Sequence, residues 1–490
     1  MFDFRGLIEV LRRKAREEDY AGPSLTQMMI DMPRDQILVA LTEIVKGIAA
    51  LNRDGKVGLK ERYRAVAAFD DRSRPLLATM VNVYRGHDTI PGLSARQALP
   101  VILACWQELA AAYKVCLKQH AQSPSPRFAP HAELITLRAV AYYAQQAKWS
   151  YLRYFEPDSK IWRNLNRLYH IADAAGFAAK PMALYPDEAP TSVNDLYLRA
   201  ALLKLAEPER RRPEDVWLID DWLAARLDTV RMERVIRPRE QTFGINLDDA
   251  KPPMKLRRNM VGERYRYLAT DMLASQFSVE AGAIRRGERP AADTLGSYVG
   301  LFDDLAVVYS RAGQQRSRRA ERKPIGRDVR AALGVTHSLQ AISGSGTELE
   351  PWTLVDESAN GLGAHYKARF DDRLTVGELV LLREADGNTS LNVVRRLTKS
   401  REGQVRVGAE RIAAGPVAVT ISLGGRTVPA LFCNESAYGS RALVFDRMIW
   451  TKDDDIVLTA AGKRYGVQLG PILETLPEEY VTGFLVKDKR

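Results

Sequence analysis

The feature that most constrains the fold of this chain is a change in hydrophobic period near residue 330. Before about residue 310, apolar residues recur every three or four positions, as on one face of a helix. After Ser94, for example, they are Leu99, Ile102, Trp106, Leu109, Tyr113 and Cys116. From about residue 331, short segments of alternating apolar residues are separated by glycine-containing and acidic turns, as in antiparallel β-structure. These patterns, in a chain of 490 residues, predict an α+β multidomain protein.

Residues 1–310 are predicted to form an all-α domain. Many amphipathic segments with short connections indicate either an irregular bundle or a stacked solenoid, and no tetratricopeptide consensus decides between the two. A break is expected near 237–255, where prolines, Gly244 and an extended piece at Gln241–Leu247 interrupt the helical period. The aromatic residues between Tyr142 and Phe155 have helical spacing, which predicts core packing and not an exposed stacking surface.

Residues 331–490 are predicted to form two small β-modules, one over 331–416 and the other over 417–490. In the first module, turn residues at 386–388 and 402–403 separate the strand patterns, and in the second module 424–425 and 461–462 do so. The second module has enough short strands for a barrel of its own. It could equally extend the sheet of the first module, and the pattern leaves both arrangements open.

A strongly basic segment, Arg311–Arg330, joins the two halves and is predicted to be a linker. It holds eight Arg or Lys residues and two acidic residues, so it supplies +6 of the net charge of +11. Charge concentrated in this way indicates an anion-binding segment more than a uniformly basic protein.

A polar segment follows the basic segment about thirty residues later. It is Trp352–Gly363, with the sequence WTLVDESANGLG. Trp352, Leu354 and Asp356 alternate with Thr353 and Val355 as in a half-buried strand, and polar turn residues follow. The basic and polar segments together resemble the signature of PilZ domains, which are bacterial receptors for cyclic di-GMP. The RxxxR element is Arg318–Arg322 and the D/NxSxxG element is Asp356-Ser358-Gly361. The resemblance covers about residues 316–415.

The resemblance implies that 331–416 is a PilZ-like antiparallel β-barrel whose ligand is cyclic di-GMP. Arginine suits such a ligand because its planar fork pairs with a phosphate or with guanine O6 and N7. A carboxylate such as Asp356 accepts from the guanine N1 and N2 donors. The register of the basic element is open, because Arg319 and Lys323 have the same spacing as Arg318 and Arg322. The implied ligand-binding residues are Arg316, Arg318, Arg319, Arg322, Asp356, Ser358 and Gly361.

We therefore expect a non-enzymatic receptor that binds cyclic di-GMP and transmits the signal through its helical region to a downstream protein that the sequence does not identify. The alternative is a scaffold protein whose PilZ domain no longer binds nucleotide. A nucleic-acid-binding protein is less favoured, because residues 331–490 hold 19 bases and 20 acids and so offer no extended basic face.

The sequence offers little support for catalysis, cofactors or membrane insertion. The six histidines have no HExxH or Cys/His spacing, and neither GxxxxGK[ST] nor GxGxxG occurs, so no enzyme, metal site or cofactor is predicted. Cys105, Cys116 and Cys433 form no CxxC, and the first two lie among apolar helical residues, so free buried thiols are expected. With no run of eighteen apolar residues, we expect a cytoplasmic location and no membrane insertion.

Overall fold

Helices make up most of the described residues before residue 310. The computed structural model describes residues 36–288, 298–313, 321–346, 348–368, 374–423, 426–447 and 456–489. The helices described in this part are α1 (Ile37–Arg53), α2 (Leu59–Tyr84), α3 (Ala95–Gln122), α4 (Ala129–Tyr151), α5 (Ser159–Ala174), α6 (Val193–Leu205), α7 (Pro213–Ala224), α8 (Asp271–Arg285) and α9 (Val299–Tyr309).

The start of α3 shows how local sequence determines a helix end. Ser94 and Gln97 form a capping box, in which the Gln97 N–H donates to Ser94 Oγ at 3.4 Å and the Ser94 N–H donates to Gln97 Oε1 at 2.9 Å. α3 is the one described helix that is long and apolar enough to cross a membrane by length and composition. Its buried face packs against α1 and α2, and both of its cysteines are buried free thiols, as predicted.

A buried carboxylate lies in the core of the helices. Asp70 of α2 is fully buried and accepts hydrogen bonds from Tyr113 of α3, from Tyr142 of α4 and, at 2.8 Å, from Tyr185. Arg138 of α4 lies 3.3 Å from the same carboxylate. A buried charge with this many partners is compensated, whereas the same charge without its partners would be costly.

A small antiparallel sheet interrupts the helices between α7 and α8. Its strands are β1 (Arg231–Glu233), β2 (Phe243–Asn246), β3 (Met254–Lys255) and β4 (Tyr265–Ala269), in the order β1-β4-β2-β3. Strand β2 lies inside the stretch Gln241–Leu247 that we expected to be extended.

The chain divides into two compact units, and the division does not follow a single cut near residue 310. The helical unit contains 1–150, 157–205 and 220–273, and the barrel unit contains 151–156, 206–219 and 274–490. Three segments from the helical part of the sequence therefore belong to the same unit as the β-structure: 151–156, 206–219 and the stretch from 274 that contains most of α8 and all of α9.

The first barrel of the barrel unit is closed, antiparallel and six-stranded, with the order β10-β7-β6-β5-β8-β9. A helix, α10 (Gly334–Ser343), follows its first strand at a position where we expected only strands. Val335, Ser338 and Ala341 give this helix a buried face with a three-residue spacing. The strands are β5 (Lys323–Leu333), β6 (Glu350–Ser358), β7 (Gly361–Lys367), β8 (Leu379–Arg383), β9 (Thr389–Lys399) and β10 (Gln404–Ala414). β5 thus begins within 311–330.

The second barrel is also closed, antiparallel and six-stranded, with the order β11-β12-β13-β16-β15-β14, so it is not an extension of the first sheet. The predicted α+β multidomain fold class, with a helical N-terminal half and two β-modules, is confirmed. The strands are β11 (Val417–Leu423), β12 (Arg426–Cys433), β13 (Ala442–Asp446), β14 (Ile456–Ala460), β15 (Lys463–Thr475) and β16 (Glu479–Lys489).

A tyrosine from far upstream fills part of the first barrel. Tyr154, from the short segment 151–156, is buried in one cluster with Trp352 and Leu354 of β6. Its hydroxyl accepts a hydrogen bond from the Val376 N–H at 3.0 Å, and its carbonyl accepts one from the Lys399 N–H at 2.8 Å. The aromatic residue is in a core as predicted, but that core belongs to the barrel and not to the helices.

Candidate site on the outer face of the first barrel

The candidate site is built on the hairpin formed by β6 and β7. The two strands are joined by the two-residue turn Ala359-Asn360. The Ser358 hydroxyl donates to the Gly361 carbonyl at 3.1 Å and so closes the turn. Ser358, which the sequence predicted to contact a ligand, therefore has a structural partner within its own hairpin.

A β-bulge at Val355 determines where Asp356 lies. Leu354 is paired with Ala364, and the next pair along the ladder is Asp356 with Gly363, so β6 has one residue more than β7 at this point. Leu354 and Ala364 are both in the barrel core. The extra residue reverses the alternation and moves Asp356 to the outer face, where its side chain is 34% exposed. Simple alternation had predicted the same face as Trp352 and Leu354, and that expectation was wrong because the sequence does not reveal the bulge.

Two glycines of the hairpin are required by close approaches. A Cβ on Gly363 would lie 2.7 Å from Asp356 Oδ1, so the carboxylate lies directly over this glycine. A Cβ on Gly361 would lie 2.9 Å from the Ala409 carbonyl oxygen of β10. Gly361 therefore allows two strands to approach, and the space left by its missing side chain is occupied by β10. Gly363 was not among the predicted site residues, although its place two residues after the motif glycine was a usable signal.

An ion pair joins the basic and polar segments of the sequence. Arg322 Nη1 lies 2.6 Å from Asp356 Oδ1, and the two side chains are 47% and 34% exposed. Lys323, the first residue of β5, is paired in register with Glu357. Arg316, Arg318 and Arg319 lie outside the described residues. Of the predicted site residues, the structure thus brings Arg322 together with Asp356, and it places Ser358 and Gly361 in the same hairpin.

A further arginine, Arg411 of β10, borders the hairpin and was not predicted. Its backbone N–H donates to the Asn360 carbonyl at 3.0 Å, and its guanidinium is paired with Glu357. Its Nε is buried and has no hydrogen-bond partner among the described residues. Nothing in the local sequence connects this arginine with the hairpin, because only the pairing of β10 with β7 brings it there.

The outer face can therefore bind an anionic, hydrogen-bonding ligand, with the Arg322 guanidinium beside the Asp356 carboxylate. Arginine donates to phosphate or to base acceptors, and the carboxylate accepts from base N–H groups. Within the described residues no group of three or more His, Cys, Asp or Glu side chains is arranged to hold a metal ion.

Comparison with known families gives one match. Residues 23–238 match a family model described as "Cyclic-di-GMP receptor FimW, N-terminal domain". A domain of a cyclic-di-GMP receptor family is thus detected in this chain. The match covers less than half of the chain and ends before the first barrel, so it does not include Arg322 or Asp356. No curated protein matches the chain.

Proposed function

We propose that this protein is a non-enzymatic receptor that binds cyclic di-GMP on the outer face of the first barrel. The observation that carries the proposal is the pairing of Arg322 with Asp356, which brings the two elements of the PilZ-like signature within 2.6 Å. The receptor-family domain detected in residues 23–238 supports the same ligand from an independent part of the chain.

In the proposed complex, Arg322 binds a phosphate or the O6 and N7 edge of a guanine, and Asp356 accepts from the N1 and N2 donors. One guanidinium carries five N–H donors, so Arg322 can bind the ligand without giving up Asp356. Arg318 of the predicted register would supply the second guanidinium for a ligand that has two phosphates.

The test is titration calorimetry of the full chain with cyclic di-GMP, with GTP and linear pGpG as competitors. We expect micromolar affinity or tighter for cyclic di-GMP, about 8 kcal/mol of binding free energy. Arg322→Ala should weaken binding by about 1.5–3 kcal/mol, the contribution of a charged hydrogen bond. Absence of heat with the wild-type chain would reject the receptor and favour the scaffold alternative.

The chain offers a matched control in Arg327 of β5, the strand that begins directly after Arg322. Arg327 is paired with Glu384 at 2.6 Å, and the two side chains are 46% and 31% exposed, nearly the same geometry as Arg322 with Asp356. Because both pairs are exposed, either alanine substitution should change stability by less than about 1 kcal/mol. Arg322→Ala should nevertheless impair binding while Arg327→Ala leaves it unchanged. Equal losses in the two variants would mean that general charge, and not the hairpin site, attracts the ligand.

The second part of the proposal is that the helical region transmits the signal. A ligand with two phosphates neutralises part of the charge of 311–330 and orders this segment against the barrel. Hydrogen exchange with and without cyclic di-GMP tests this idea. Protection should rise in 311–330 as well as in the β6–β7 hairpin. Protection confined to the hairpin would reject this transmission route and leave the receptor proposal intact.

A further inference from the structure

A cleft in the helical unit has the properties of a second binding site, separate from the barrel. It lies between the C-terminal end of α5, the segment that follows β1, and β4 with its preceding turn, and its volume is about 670 Å³. All of these elements belong to the helical unit. None of the residues singled out from the sequence lies in it.

The surroundings of the cleft are strongly basic. Residues 231–266 hold ten Arg or Lys residues and five acidic residues, so this short stretch supplies a net +5 of the chain's +11. Three arginines line the cleft, Arg234, Arg264 and Arg266, against two acidic residues, Asp173 and Glu263. The excess of guanidinium groups favours an anionic ligand.

The arginines have different roles. Arg266 is buried and holds the cleft together, because its guanidinium pairs with Asp173 and donates to the Glu263 and Tyr265 carbonyls at 2.8 and 2.7 Å. Burial opposes ionisation of Asp173, but hydrogen bonds from Arg234 and Arg266 hold its pKa below the usual value, so it remains a carboxylate. The charge of Asp173 is therefore compensated by arginines within the wall of the cleft.

Arg234 and Arg264 lie at the surface, with side chains that are 61% and 48% exposed. Arg234 pairs with Asp173 at 2.8 Å and Arg264 with Asp248 at 3.5 Å, and each guanidinium keeps further N–H donors for a ligand. Arg264 is in contact with His170 Nε2, and burial together with Arg264 and Arg266 lowers the pKa of that imidazole. A neutral His170 accepts from Arg264 and directs its guanidinium. The two arginines can thus donate to an incoming carboxylate while Asp173 and His170 hold them in position.

Aliphatic side chains that line the cleft, or follow or precede a lining residue in the sequence, are also exposed. Val261 lines the cleft and is 61% exposed, while Val235 and Ile171, each next in sequence to a lining residue, are 65% and 50% exposed. Large apolar side chains that remain in water next to a charged concave surface indicate protein recognition. A nucleic-acid backbone would not use them, and a flat membrane surface fits a concave cleft poorly.

We infer that this cleft binds an acidic segment of a protein partner, with a carboxylate on Arg234 and Arg264 and aliphatic side chains on Val261 and its neighbours. The inference goes beyond cyclic di-GMP binding and does not depend on it.

The test uses the full chain and fluorescence anisotropy with a labelled synthetic peptide of alternating Glu and Leu. Two comparison peptides carry Gln in place of Glu, or Ser in place of Leu. The acidic aliphatic peptide should bind most tightly, and loss of a charged hydrogen bond in Arg234→Gln or Arg264→Gln should weaken it by about tenfold or more. Val261→Ser should also weaken this peptide but should not affect the Glu–Ser peptide.

Arg258→Gln is the matched control, because Arg258 is an exposed arginine of the same basic stretch that does not line the cleft. It should leave peptide binding unchanged. The inference is overturned if all three arginine variants lose affinity equally, if the Gln–Leu peptide binds as well, or if single-stranded DNA or anionic vesicles depend on Arg234 and Arg264 in the same way. Cyclic di-GMP affinity should be the same in all of these variants, so this result is separable from the receptor test.

Discussion

A buried glutamate in the second barrel should make stability depend on pH in the neutral range. Glu479, at the start of β16, is only 5% exposed and accepts a hydrogen bond from the Val335 N–H of α10 at 3.3 Å. Burial, together with the nearby charges of Glu378, Glu478 and Asp446, raises the pKa of its carboxyl to about 7. The folded chain therefore keeps a proton at pH values where the unfolded chain has lost it.

The magnitude follows from the two pKa values. An unfolded glutamate titrates near 4.5, and each unit of pKa difference corresponds to about 1.4 kcal/mol. The stabilisation is fully present below the unfolded pKa and is lost as pH rises towards and through the folded pKa. Between pH 5 and pH 8 the free energy of unfolding should therefore fall by about 2.5 kcal/mol on account of Glu479 alone.

The perturbation is Glu479→Gln, since the amide oxygen can still accept from the Val335 N–H while the group no longer titrates. The assay is hydrogen exchange in increasing urea at several pH values, read on peptides from β13 and β16. As pH rises, the free energy of unfolding of the variant should increase relative to that of the wild type. Glu478→Gln is the control, because Glu478 is the exposed neighbour, and it should keep most of the wild-type slope. Parallel pH profiles for Glu479→Gln and wild type would refute the reasoning.

Three further predictions concern single buried or close-packed groups. Asp70→Ala leaves Arg138 buried without its counter-ion, so the free energy of unfolding of the helical unit should fall by about 3–5 kcal/mol, measured by thermal unfolding. A fall of less than about 1 kcal/mol would contradict the role of the buried network. Tyr154→Phe leaves a buried backbone N–H without its acceptor, so the first barrel should lose about 1–3 kcal/mol in urea unfolding, whereas unchanged unfolding would mean that water replaces the hydroxyl. Gly363→Ala places a Cβ 2.7 Å from the Asp356 carboxylate, so calorimetry should show weaker cyclic di-GMP binding. Gly326→Ala is the control, because a Cβ there meets nothing within 4 Å, and this variant should bind normally. Equal affinities of the two variants would contradict the close approach.

Local patterns in the sequence predicted much of the secondary structure. Pro213, followed by Glu214 and Asp215, is a typical helix start, and α7 begins there. The turn residues at 386–388 and 402–403 separate β8, β9 and β10, as expected. These predictions succeed because helix and strand periods, caps and turn residues act over a few neighbouring positions, so the sequence alone contains the necessary information.

The candidate site could be predicted only in part from the sequence. The motif residues Arg322 and Asp356 could be named, because the residue types and their spacing carry the chemistry. Arg411 could not, because it reaches the hairpin only through the pairing of β10 with β7. The same holds for the cleft lined by Arg234, Arg264 and Arg266, because some of its other lining residues come from an α-helix far away in the sequence.

The sequence by itself therefore determined the order and type of most elements and the chemistry of the PilZ-like segments. Tertiary structure alone decided that each β-module closes into a six-stranded barrel, and that Tyr154 fills the first of them from more than 150 residues upstream. It also decided, through the bulge at Val355, that Asp356 faces outward over Gly363. The physical reason is that barrel closure, strand register and bulges depend on packing between distant residues, whereas helix and strand periods depend on near neighbours.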